Sequence, residues 1–121
     1  MRSADFEAVY RAGGRKASGQ FVLFFRANGA DSSRFGSSVK KAIGGAVVRN
    51  RIRRRIREII RRNRGEIPSG WDVVIHPRRS VAQSAFVPLE AELIGLMRQI
   101  GQSNAQQSNA HQSSAQKISR T

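Results

Sequence analysis

At 121 residues the chain is long enough for one domain with a modest core, and 22 lysines and arginines against 8 acids give it a net charge of +14 and a pI near 11.9, which calls for a polyanionic partner. The absence of cysteine excludes disulfides and thiolate chemistry, and no apolar stretch approaches a bilayer span or the core of a signal peptide. Cytoplasm is therefore the expected compartment.

Ala4 to Ala12 reads as a short helix, capped by Ser3 or Asp5 and ended by Gly13-Gly14, with Phe6, Val9 and Tyr10 on one face. Arg15 and Lys16 follow in a polar loop. Gln20 to Ala27, Gln-Phe-Val-Leu-Phe-Phe-Arg-Ala, is rich in strand formers. Alternation sets Phe21, Leu23 and Phe25 against Gln20, Val22, Phe24 and Arg26, so both faces are apolar. Such a strand is either covered on both sides or open to a ligand on one. Asn28-Gly29-Ala30-Asp31-Ser32-Ser33 is turn chemistry and predicts a hairpin to a second strand, Arg34 to Lys41. Gly36 and Ser38 leave one face of that strand open to close approach, and it delivers Lys40 and Lys41 to the next element.

From Gly45 to Gly65 neither glycine nor proline intervenes, and Val48, Ile52, Ile56, Ile59 and Ile60 recur at helical spacing within residues 46–64. On a wheel of about 3.6 residues per turn these make one stripe. Asn50, Arg53, Arg54, Arg57, Arg61 and Arg64 gather opposite, and Arg49, Arg55 and Arg62 flank it. With Arg51 that makes nine arginines, and Glu58 is the one acid among them. They repel one another unless something anionic and regularly spaced lies across them, and the planar guanidinium fork matches phosphate. A merely solvated face more often mixes both signs.

Gly65 to Gly70 breaks the helix, and Trp71 to His76 is a nearly continuous apolar run, the mark of a buried strand. Strand, helix and buried strand make a β-α-β unit. His76 ends that strand beside Pro77-Arg78-Arg79 with no carboxylate spaced to orient it, and reads as a surface residue. Arg78 and Arg79 either extend the basic surface or solvate a loop. Ser84 to Ile100 reads as a last helix with a stripe of Phe86, Leu89, Leu93, Leu96 and Ile100 and with Pro88 in its first turn. From Gln102 a five-residue repeat begins, Gln-Ser-Asn-Ala-Gln, Gln-Ser-Asn-Ala-His, Gln-Ser-Ser-Ala-Gln. It buries too little apolar area to offset its chain entropy, so residues 1–101 are expected to form the domain and 102–121 a disordered low-complexity tail.

Hydrolysis by the protein itself would need paired carboxylates, an activated nucleophile or a metal cluster. Asp5, Glu7, Asp31, Glu58, Glu66, Asp72, Glu90 and Glu92 make no ligand-spaced set, and Glu90 and Glu92, two apart on a helix, point in different directions. No catalytic residue and no protein-built metal site are expected.

The run Ala46-Val47-Val48-Arg49-Asn50-Arg51-Ile52-Arg53-Arg54-Arg55-Ile56-Arg57-Glu58, entered from Val39-Lys40-Lys41 through a glycine turn, resembles the Arg-Asn-Arg signature of the bacterial ribonuclease P protein family. The similarity extends from about Asp5 to Ile100. It implies an α+β fold, a two-layer α-β sandwich whose central mixed sheet has a left-handed β-α-β crossover, where the general rule is right-handed. It further implies that an RNA subunit, with Mg2+ at its own active site, cleaves the bond that frees the mature 5′ end of transfer RNA. The protein would bind that RNA and the single-stranded 5′ leader of precursor tRNA, with no membrane and no small-molecule substrate involved.

By the same resemblance, Lys40, Lys41, Arg49, Asn50, Arg51, Arg53, Arg54, Arg57 and Arg61 would contact the catalytic RNA and its phosphates. Phe6, Tyr10, Phe24 and Ser38 would line the leader cleft, where the residues alone also allow Phe6, Tyr10 and Phe24 to be packed core. The chain departs from the family at Ala42, where lysine or arginine is usual, so one contact is either lost or supplied by Lys40. A ribosomal or other structural RNA-binding protein would share the charge and the β-α-β scaffold but need no aromatic cleft. A membrane-surface helix would share the basic amphipathic face, but this stripe lacks an aromatic anchor.

Overall fold

The computed structural model describes the backbone of residues 3–113 and the side chains of residues 3–101. In chain order it comprises α1 (Ser3–Ala12), β1 (Gly14–Ala17), β2 (Phe21–Ala27), β3 (Arg34–Ser37), α2 (Ala46–Arg62), β4 (Trp71–Pro77) and α3 (Phe86–Ser113). Short 3-10 turns lie at Lys41–Ile43, Arg64–Glu66 and Arg79–Ala82. Gly13, at φ 81°, takes the left-handed conformation that ends α1 and turns the chain into β1.

The four strands form one mixed sheet in the order β1-β2-β4-β3, antiparallel except for the parallel pair β3 and β4. Two sequence expectations are corrected here. Arg15 and Lys16 are not loop but β1, an edge strand in register with β2 from Gly14 opposite Phe25 to Ala17 opposite Val22. And β2 and β3 are not a hairpin, because β4 runs between them. All seven residues of β4 pair with β2, from Phe21 opposite Pro77 to Ala27 opposite Trp71, and two apolar strands of equal length bury more against each other than the short β3 offers. The Asn28 turn still forms, with the Asn28 side chain accepting from the Ala30 amide at 2.8 Å, but its amide bonds Gly70 and it carries the chain past the end of β4. β3 itself ends at Ser37, short of the expected Lys41.

Alternation along β2 and β4 puts Phe21, Leu23, Phe25, Val73 and Ile75 on the face covered by α2 and α3. Ile52, Ile56, Ile59 and Ile60 of α2 and Leu89, Leu93, Ile94, Leu96, Met97 and Ile100 of α3 complete that core, and Val48 and Phe86 pack at its margin. Asn63 stops α2 by donating from its side chain to the Ile59 carbonyl at 2.8 Å. On the opposite face α1 crosses β2 and β4, and its Val9 is fully buried. β3, α2 and β4 are the β-α-β unit expected from sequence. The backbone of α3 runs past Gly101 into the repeat; the repeat's side chains, and all of residues 114–121, lie outside the described residues.

Candidate nucleic-acid interface

The face of β2 and β4 that α1 only partly covers carries Phe24, and β4 brings His76 beside it, since His76 is opposite Val22, two residues before Phe24. α1 supplies Tyr10. The three rings form one cluster, Tyr10 to Phe24 at 5.1 Å and near-perpendicular, Phe24 to His76 at 5.1 Å, Tyr10 to His76 at 5.7 Å. Tyr10 Oη and His76 Nε2 are hydrogen-bonded at 2.8 Å. Tyr10 keeps 39% of its surface exposed, so the cluster is an open platform rather than sealed core. Phe24 and Phe6 are half-buried, and Phe6 makes no ring contact among the described residues.

Ser38 lies just past β3, with its amide on the Ile75 carbonyl at 2.9 Å, and so at the edge of the same face next to His76. Lys40, two residues on, is close enough that its charge adds to burial, the larger cause, in holding the His76 imidazole below its ordinary pKa. Arg15 of β1 stands opposite Phe24 in register and is exposed, adding a cation to the platform's other flank. The residue read from sequence as a surface histidine thus has a defined place. His76 is half-buried and the third ring of the cluster, a role that only the sheet order reveals.

Lys40 and Lys41 are exposed and lead into α2, which continues the positive surface. Its arginines divide into two sets. One set is engaged with the protein. Arg51 Nε donates to the Ala82 carbonyl at 2.6 Å and Arg55 Nη1 to Val81 at 2.8 Å, clamping the turn after β4. Arg49 Nε bonds Gly44 at 3.1 Å. Arg62 pairs with Glu90 at 3.1 Å, and the Arg55 and Arg62 guanidiniums sit 5.8 and 5.4 Å from the Phe86 ring centre. Glu58, whose carboxyl is held down by Arg61, takes that guanidinium at 2.6 Å, and Arg53 bonds the Asn50 side chain at 3.0 Å. The other set, Arg54 and Arg57 of α2 with Arg64 in the 3-10 turn that follows it, has no protein partner among the described residues and is exposed. These three, with Ser33, Phe35, Ile60, Arg61 and its partner Glu58, line an open cleft of about 700 Å³. Unpaired guanidiniums on a rigid helix suit phosphate oxygens. Beyond the turn after β4, Arg79 holds the Ile43 carbonyl at 3.1 Å, while Arg78 is exposed.

Among the described residues no group of three or more histidines and acids is arranged to hold a metal ion, and no helix is long and apolar enough to cross a membrane.

The profile of the family described as Ribonuclease P matches residues 1–101. The chain is 38% identical over 100 residues to the ribonuclease P protein component of Thermotoga maritima, covering 79% of this chain and 86% of that one. It is 40% identical over 98 residues to that of Brevibacillus brevis, covering 80% and 78%. Among solved structures it is similar to the Thermotoga maritima RNase P protein, with a TM-score of 0.77 at 36% identity over 82% of this chain and 94% of that one. It is also similar to the Staphylococcus aureus RNase P protein, with 0.72 at 30% over 83% and 92%.

Proposed function

The chain belongs to the ribonuclease P protein family and is a protein subunit of that tRNA 5′-processing ribonucleoprotein endonuclease, and from this premise we propose how its two surfaces divide the work. The free arginines of α2, with Lys40 and Lys41, take the phosphates of the ribonuclease P RNA. Asn50, Arg53 and Arg61 sit on the same face as polar contacts, while Arg49 and Arg51 brace the backbone beside it. Tyr10 and Phe24, edged by Phe6 and Ser38, take the unpaired 5′ leader of precursor tRNA. Lys40 borders both surfaces, so cations line the path between two polyanions that would otherwise repel.

The observation that carries this reading is an exposed tyrosine ring in an aromatic cluster together with a helix whose Arg54 and Arg57 are exposed and have no protein partner among the described residues. Stacking on rings tolerates any base sequence, as leaders of many different tRNAs require. A structural RNA-binding protein would not need Tyr10 held open beside Phe24. In this reading the phosphodiester chemistry belongs to the RNA, with Mg2+ as its ion; among the described residues no set of side chains is arranged to hold a metal. The test is to add the purified chain to ribonuclease P RNA at limiting magnesium and follow precursor tRNA. Cleavage at the mature 5′ end, absent without the protein, is expected; no stimulation would overturn the assignment.

A further inference from the structure

We propose that His76 is a positioning residue of the leader site that works as a pair with Tyr10, the imidazole orienting the phenol so that its hydroxyl donates to a leader phosphate. This rests on the reading of the aromatic platform as the leader site. The groups that face the imidazole are Tyr10 from α1, Phe24 from β2, and Ser38 and Lys40 from the connection between β3 and α2. None is a carboxylate.

A single hydrogen lies between Tyr10 Oη and His76 Nε2, 2.8 Å apart. With neutral imidazole in the Nδ1–H form, the phenol donates to Nε2 and its hydrogen is turned inward. When Nε2 takes a proton from solvent, the N–H donates to Oη instead, and the phenol hydrogen is released to point outward. The pair stays bonded in both states, so Tyr10 does not move while its exposed hydroxyl changes from acceptor to donor. In the free protein Lys40 and burial disfavour that protonated state. A phosphodiester entering beside Lys40 supplies the missing negative charge and favours it. Leader binding is then coupled to uptake of one proton, and because the bound state holds more protons, affinity rises as pH falls through the histidine range.

The full chain has two histidines and one tyrosine, so the pair is directly observable. Binding of a short oligouridylate, which itself takes no proton in this range, is measured from about pH 7.5 to about 5.5, with His76 followed by the ring C–H resonance that His76→Gln removes. We expect roughly tenfold tighter binding at the acid end, the worth of one charge-assisted hydrogen bond, and an upward shift of the His76 midpoint when RNA is added. His76→Gln and Tyr10→Phe should both flatten the profile, the second while keeping the ring and the wild-type melting temperature. If Tyr10→Ala weakens binding but His76→Gln keeps the full pH dependence, or if RNA leaves the His76 midpoint in place, the His76 role is overturned and the leader platform stands. If Tyr10→Ala leaves oligouridylate affinity unchanged, the platform reading fails and this inference with it.

Discussion

The Arg34 guanidinium closes on the Asp72 carboxylate along two edges, Nε to Oδ1 at 2.9 Å and Nη2 to Oδ2 at 2.7 Å. Asp72 is fully buried and also receives Asn28 at 3.0 Å and Arg26 at 3.2 Å. Arg34 foremost, with Asn28 and Arg26, holds its pKa at about 2 against an ordinary 3.8. A folded-state value below the unfolded one gives stability that is present above about pH 4 and lost as pH falls towards 2. The loss should approach about 2 kcal/mol across that window. Urea unfolding at several pH values checks it, and Asp72→Asn should be less stable at neutral pH and show a shallower acid limb. Arg34 also reaches Asp5 at 3.4 Å, so this cluster ties α1 to the sheet.

Gly14 shows how tightly β1 lies on β2. A methyl there would sit 2.6 Å from the Phe25 carbonyl oxygen and 2.7 Å from its ring, and the carbonyl cannot retreat without breaking the β1 register. Gly14→Ala should cost about 1–3 kcal/mol. Gly19→Ala, with nothing within 4 Å of the new methyl, should stay within about 0.5 kcal/mol. Thermal melts of the two variants against wild type make the comparison.

α2 is legible in the sequence because its period is local: isoleucines at helical spacing, no breaker, and charge of one sign but for Glu58. β1 is not. Gly-Arg-Lys-Ala has no strand preference, and only the exposed edge of β2 makes it a strand. The β2 to β3 hairpin is mistaken for the same reason in reverse, since a good turn at Asn28 says nothing about a strand arriving from forty residues on. At the interface, Tyr10 and Phe24 are found through the resemblance, whereas His76 depends on which strand pairs with β2. A helical wheel sets Arg55 at the flank of the stripe and Arg54 opposite it, but it does not show what engages Arg55. The Val81 carbonyl that occupies Arg55 belongs to a turn outside α2.

That division of the arginines is testable. Arg54→Ala with Arg57→Ala removes two unpaired cations and should weaken assembly with ribonuclease P RNA while leaving the melting temperature near wild type. For about five phosphates neutralised, the slope of log affinity against log salt should be roughly −3.5 to −4.5, and the double variant should flatten it by about 1.4 to 1.8. Arg51→Ala with Arg55→Ala should do the opposite. Freeing the Ala82 and Val81 carbonyls should lower stability by about 1–3 kcal/mol and alter the salt slope less. Filter binding across a salt series, paired with calorimetry, distinguishes the two; a flat salt titration for wild type would remove the phosphate reading.

Tyr10 projects from α1 onto Phe24 with its outer surface open, so an unpaired base entering there would meet the tyrosine ring without displacing core atoms. Truncation at this position removes the ring offered to the ligand, along with its contacts to Phe24 and His76, but no buried core side chain. Tyr10→Ala should cost about 1–3 kcal/mol in binding a precursor with its leader, the range for one stacked base, and leave the affinity for leaderless tRNA unchanged, because the mature domain has no segment to place on the platform. The Val9 side chain, one residue away and fully buried, provides the contrast: Val9→Ala should lower the melting temperature and weaken both substrates only as far as folding is lost. Equilibrium binding of holoenzyme to matched precursor and product supplies the measurement. An equal loss for both with Tyr10→Ala would mean that the ring supports the fold and does not read the leader.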